Sequence, residues 1–166
     1  MNTLRKKGFL RALAYVPFLL MLFIIQAAIL PRAPIFGVKA QLLPLIVASA
    51  GVCGGVVTGG AIGLFAGMLM DISFNEPTII YTLVFCFLGL FIGYLCDTLL
   101  IKRFPAYILM SILALAVSGV TELIKALFAL GSGIVPMLWV ALFEALFSFV
   151  FAVPVYLITR SIERIE

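Results

Sequence analysis

The side chains that could do chemistry here are few, and their spacing restricts them further. Histidine is absent, which excludes Ser-His and Cys-His nucleophiles and His-ligated metal sites. Cys53, Cys86 and Cys96 lie in apolar stretches without C-x-x-C spacing, so they read as small hydrophobes in helix packing. Asp71 and Asp97 raise the question of an aspartyl protease dyad, which needs two carboxylates close enough to share a proton. About 20 residues of helix between them would set them roughly 30 Å apart in depth, and neither stands in a G-x-G-D sequence. Glu122 and Lys125 are three apart, close enough to pair on one helix, and Lys125 can also snorkel outward. A Lys125–Asp71 pair closing the outer end is the expectation. Glu144 falls near the middle of a long apolar run. It reads as a carboxyl neutralised by desolvation and hydrogen bonded to a neighbour such as Ser118, with a proton or ion relay as the other reading. No P-loop occurs, and Gly131-Ser132-Gly133 lacks the third glycine and the strand of a dinucleotide fingerprint. The expectation is no enzyme, no metal and no cofactor.

The elements that position these residues follow from composition. Of 166 residues 65% are hydrophobic and 11% charged, and the mean hydropathy is +1.31. A water-soluble globule is excluded, and a single polytopic membrane domain, all-α, spans residues 1–166. A membrane-crossing helix needs about 20 mainly apolar residues. The runs give six: about 12–30, 41–52, 55–71, 78–99, 105–130 and 135–159. The uncharged stretch 40–70 is too long for one ordinary crossing, about 46 Å as a helix. Gly51, Gly54 and Gly55 split it into two short helices joined by a tight turn. Pro17, Pro44 and Pro154 are expected to kink or break helices one, two and six.

Charge tests that count. With six crossings and both termini cytoplasmic, Arg5, Lys6, Lys7, Arg11, Lys102, Arg103, Arg160 and Arg164 fall inside, and only Arg32 and Lys39 fall outside, as the positive-inside rule requires. The net charge of +4 is therefore topological, and no nucleic-acid partner is implied. Tyr15, Tyr94, Tyr107 and Tyr156 near inner ends, with Tyr81 and Trp139 near outer ends, read as interfacial anchors.

The most specific local pattern is Gly55, Gly59, Gly63 and Gly67, one glycine every four residues, continued by Asp71. That spacing makes one stripe on a helix, a groove where another backbone can approach closely. The groove can serve internal packing, a separate protein or a ligand. Gly89 and Gly93 in the next helix share the spacing, which suits internal packing.

Pro34-Ile35-Phe36-Gly37-Val38-Lys39-Ala40-Gln41-Leu42-Leu43-Pro44, the row Gly55 to Asp71, and Leu88-Gly89-Leu90-Phe91-Ile92-Gly93-Tyr94-Leu95 resemble the MreD family of bacterial rod shape-determining membrane proteins. The likeness covers nearly the whole chain in length and order of spans. It departs after the polar loop, where Pro77-Thr78-Ile79-Ile80-Tyr81-Thr82 lacks the family's usual glycine. The resemblance implies a multi-pass protein of the bacterial cytoplasmic membrane, a non-enzymatic scaffold of the cell-elongation machinery. Its implied partners are membrane lipids, an MreC-like bitopic protein, the RodA-type glycosyltransferase with its penicillin-binding protein, and MreB. It also implies a six-helix bundle like that of the substrate-binding components of energy-coupling-factor vitamin transporters. Membership of that transporter class is the alternative. The first helix, however, offers Ala12, Ala14, Ala27 and Ala28 without an A-x-x-x-A docking row.

Overall fold

Buried in hydrocarbon, a backbone must satisfy its own hydrogen bonds, and an uncharged chain rich in Leu, Ile, Val and Phe does so as helix. The computed structural model describes residues 15–29, 41–73, 79–98, 104–130 and 134–163; among these it is helical almost throughout, with no strand. The basic start, Arg32, Lys39, the 74–78 loop, Lys102-Arg103, Gly131-Ser132-Gly133 and Arg164 lie outside the described residues, as does the side chain of Lys125.

Helix α1 is Tyr15–Ala28, with its last turn widened to a π-helix at Ile25–Ile29. Then follow α2 (Leu43–Ser73), α3 (Ile80–Thr98), α4 (Phe104–Leu130), α5 (Ile134–Val150) and α6 (Ala152–Glu163). Leu43–Ser73, Ile80–Thr98 and Pro105–Ile124 are long and apolar enough to cross a membrane, and the bent pair Leu142–Val150 and Ala152–Ile162, from α5 and α6, makes a fourth when counted as one span.

Helix α2 is two limbs. Gly55 has φ 81° and ψ −168°, a region that side-chain-bearing residues essentially never occupy. The chain reverses there: a Cβ at Gly59 would lie 2.8 Å from the Cα of Gly51, although eight residues of straight helix would separate them by about 12 Å. Residues 43–54 form the first limb and 56–73 the second, so the break lies where the glycines put it. Every residue from Gln41 to Val52 is buried, which explains why this limb is apolar all round. It runs only about 18 Å, with both limbs packed against α3 and with α4 and α6 on its other sides.

The last apolar run differs from its expected continuous helix over 135–159. It breaks at Phe151, and the two parts meet at 49°. Pro154 is the cause: it lacks an N–H, and its ring would strike the carbonyl of Val150 in a continued helix. The Phe151 N–H turns instead to the Ser148 carbonyl at 3.0 Å, and Pro154 falls in the first turn of α6, where the missing donor does no harm. Pro44 and Pro105 also stand in first turns, so Pro44 starts a helix rather than kinking one. The Tyr107 hydroxyl donates to the Ala152 carbonyl at the break, 2.9 Å away, while its ring stacks on Tyr156 at 4.8 Å.

The tyrosines correct a sequence expectation. Tyr15, Tyr81, Tyr107 and Tyr156 are buried in the core rather than set at the lipid interface; only Tyr94 and Trp139 are exposed, at 59% and 60%. Position along a helix gives depth but not facing, and these four fall on inward faces.

The reversal gives a direct test. Gly55→Ala forces a side chain into a strained backbone and puts its Cβ 2.7 Å from an Asp97 carboxylate oxygen. A stability loss of about 1–3 kcal/mol is expected, read as an earlier unfolding midpoint in a denaturing-detergent titration; Val57→Ala, at a position 83% exposed, should leave the midpoint in place.

Candidate functional site

The residues singled out by spacing gather at two places: a seam between the second limb and α3, and a polar cluster around the start of the first limb.

At the seam the glycine row of the second limb lies against α3. A Cβ at Gly59 would sit 2.5 Å from the Gly89 carbonyl oxygen, one at Gly63 2.1 Å from that of Phe85, and one at Gly67 2.4 Å from the Thr82 Cα. The approach is mutual, since a Cβ at Gly89 would lie 2.1 Å from the Gly59 carbonyl oxygen and one at Gly93 2.5 Å from the Val56 Cα. Four residues down one helix match four residues up the other, so the pair is antiparallel and stays in register along its length. Gly51 of the first limb joins the contact, placing three backbones around Gly51, Gly59 and Gly89. At this separation van der Waals contact and Cα–H···O interactions supply the attraction that hydrophobicity cannot supply in lipid. Of the uses open to the groove, internal packing fills it. Gly60 stands on its shoulder, where a Cβ would meet only the end of the Leu90 side chain at 2.5 Å.

Two aspartates close the seam at its ends. Asp71, in the last turn of the second limb, accepts hydrogen bonds from the Tyr81 N–H (3.1 Å), the Thr82 N–H (2.9 Å) and the Thr82 hydroxyl (2.6 Å). Asp97, in the last turn of α3, accepts from the Val56 N–H at 3.3 Å. Each helix therefore carries near its C-terminus the acid that caps its neighbour's N-terminus, where donors have no intrahelical partner and the dipole favours negative charge. The two carboxylates stand at opposite ends of one helix pair. Of the expected Lys125–Asp71 pair, the Lys125 side chain is outside the described residues, and both Asp71 oxygens accept from the start of α3.

The second place is built on helix ends inside the bundle. The first limb begins among other helices, and its leading donors reach side chains. Gln26, projecting from the π-helical turn of α1, accepts from the N–H groups of Leu42 (2.8 Å) and Leu43 (3.1 Å). Ser148 of α5 accepts from the Gln41 N–H at 2.7 Å and donates its own hydrogen to the Glu144 carbonyl at 2.6 Å. The Gln41 amide bridges α4 and α5: its oxygen accepts from the Ser118 hydroxyl at 2.5 Å, and its nitrogen donates to a Glu144 carboxylate oxygen at 3.4 Å. Ser118 and Glu144, expected to bond directly, are thus joined through Gln41. Glu122 lies one turn beyond Ser118 on α4 and is half-buried.

Sequence reasoning passed over Gln26, Gln41 and Ser148. The signal was present, because an amide in an uncharged apolar run needs partners on other helices. What spacing could not supply was the partners' names, 16 to 107 residues away. Among the described residues no three His, Cys, Asp or Glu side chains converge as metal ligands. Cys53 and Cys86 are half-buried and Cys96 is buried.

The seam and its caps predict a ranking. Gly63→Ala must push two backbones apart and should cost about 1–3 kcal/mol, whereas Gly60→Ala need only displace a flexible leucine and should cost less; the same detergent titration separates them. Asp71→Ala, which leaves the start of α3 without its acceptor, should cost about 1–2 kcal/mol, and Asp71→Asn, keeping one amide oxygen, should fall between it and the unmodified chain.

Compared with protein-family models, with curated proteins and with solved structures, the chain matches none.

Proposed function

We propose that this chain is a non-enzymatic subunit of the bacterial cell-elongation (rod) complex, resident in the cytoplasmic membrane and supporting lateral peptidoglycan synthesis through helix contacts with other membrane proteins. The observation that carries the reading is the division of its surface. The glycine seam and the Gln41–Ser118–Ser148 contacts are turned inward, while the outward faces present large apolar side chains such as Phe65, Phe87, Phe91, Leu109 and Ile112, each more than half exposed. A molecule of this kind acts on others in the plane of the membrane.

The resemblance to the MreD family supplies the rest. Gly63, Gly67, Asp71 and Gly93-Tyr94 carry its motif, and an MreC-like bitopic protein, the RodA-type synthase with its penicillin-binding protein, and MreB are the partners it brings. Six apolar segments with both termini cytoplasmic, in a bundle like that of energy-coupling-factor substrate-binding components, complete the proposal. The vitamin-transporter alternative is favoured by one feature, the polar groups of Gln26, Gln41 and Ser118 inside the bundle, which are of the kind that orients a small ligand.

Affinity recovery of the tagged protein from native membranes tests the proposal. Co-recovery of a bitopic coiled-coil protein together with the glycosyltransferase and penicillin-binding protein is expected, and depletion of the chain should turn rod-shaped cells round. Recovery of ATPase subunits with a bound vitamin would replace this reading with the transporter one.

A further inference from the structure

We infer that Glu144 is the docking point for a transmembrane helix of another protein that brings a lysine or arginine to mid-membrane depth against α5. The inference rests on the reading of this chain as one that works by lateral helix contact, and it names the chemistry of one such contact.

Depth comes first. Glu144 is ten residues beyond Ile134 in α5, and it meets the Gln41 amide at the start of a limb that reaches only about 18 Å from the Gly55 reversal, which sets it inside a hydrocarbon core about 30 Å thick. An acid there is costly and needs compensation. A carboxylate offers about four lone-pair positions, yet among the described residues this one receives a single 3.4 Å bond, from the Gln41 amide. The hydroxyls beside it are engaged elsewhere, since Ser148 gives its hydrogen to the Glu144 carbonyl and Ser118 gives its own to Gln41. The leading donors of the first limb are also taken, by Gln26 and Ser148. Arg160 is the one basic side chain among the described residues, and it lies over the Tyr156 ring at 5.9 Å, sixteen residues further along the chain.

Access comes second. Helix α5 packs chiefly along α4. Around half-buried Glu144, Leu142, Phe143 and Leu146 are 50%, 50% and 60% exposed, and Trp139 stacks on Phe143 at 6.1 Å to flatten the adjoining face. A helix laid on this surface reaches the carboxylate with a long side chain. A lipid headgroup stays at the interface, and a second copy docked symmetrically would set two acids face to face. A base on a foreign helix is the occupant with complementary charge.

The full-length chain in lipid nanodiscs tests this with three designed single-span oligoleucine helices, carrying Lys, Leu or Glu at the centre, and a photocrosslinking residue at Leu146 or at Val57. The Lys helix should crosslink from position 146 about tenfold more than the Leu helix, with no preference at position 57. Glu144→Gln should abolish the preference, and Glu144→Lys should transfer it to the Glu helix. Equal capture of Lys and Leu helices, a preference that survives Glu144→Gln, or one equally strong at position 57 would overturn the inference. So would a preference that emerges only after Lys39→Gln or Lys125→Gln, because the chain's own base would then hold the carboxylate. The oligoleucine helices belong to no cell-wall complex, so this assay can fail while recovery of the synthase succeeds, and the reverse.

Discussion

A helix that starts inside lipid exposes N–H groups that water cannot reach, and this constraint shapes the bundle. Each such donor left without an acceptor costs several kcal/mol in hydrocarbon, more than the roughly 1 kcal/mol net that an ordinary hydrogen bond contributes in water. The first limb starts among other helices at Leu43, and the reversal at Gly55 and the beginning of α3 add helix starts at Val56 and Ile80, at the two ends of the seam. Their acceptors are Gln26 and Ser148 for the first, Asp97 for the second and Asp71 for the third. None belongs to the helix it caps. Each cap is therefore also a tertiary tie, and together they bind α1, both limbs of α2, α3 and α5 into one arrangement.

The seam acts with the caps. Reciprocal capping by Asp71 and Asp97 requires two antiparallel helices whose ends coincide, and the glycines allow the separation at which they do. A side chain on the row would thrust α3 outward and carry both N-termini away from their acids. The buried hydroxyls follow the same economy of donors. Ser49 and Thr159 touch at 2.9 Å, and each also reaches a carbonyl in its own helix, Ile46 and Val155. Two hydrogens are shared among three contacts, so when one hydroxyl donates across to the other it gives up its own carbonyl, and the cross contact holds the first limb to α6.

Much of this was legible in the sequence where one residue type forces one outcome. Uncharged runs became helices, the cluster Gly51, Gly54, Gly55 marked the reversal, and four-residue spacing marked the closest helix pair. Pro154 signalled a disturbance, but the break falls three residues earlier because the ring acts on the turn before it. What stayed hidden depends on facing or on distant partners. Four tyrosines placed at helix ends by counting turn inward, and Asp97, visible only as half of a failed dyad, finds its donor 41 residues away across the seam. Gln41 reads as a flanking polar residue until folding sets α4 on one side of it and α5 on the other.

Lateral recognition in a membrane needs more than an oily surface, because lipid tails contact apolar side chains as well as a partner does. Selectivity has to come from close backbone approach or from a polar group. The close-approach surface of this chain, the glycine row, is already occupied by α3, and Asp71 gives both carboxylate oxygens to the start of that helix. On α5 the outward side chains are large and apolar, and half-buried Glu144 stands among them. Among the described residues the Glu144 carboxylate receives one hydrogen bond, and specificity for a neighbour has its physical basis where the internal hydrogen bonds run short.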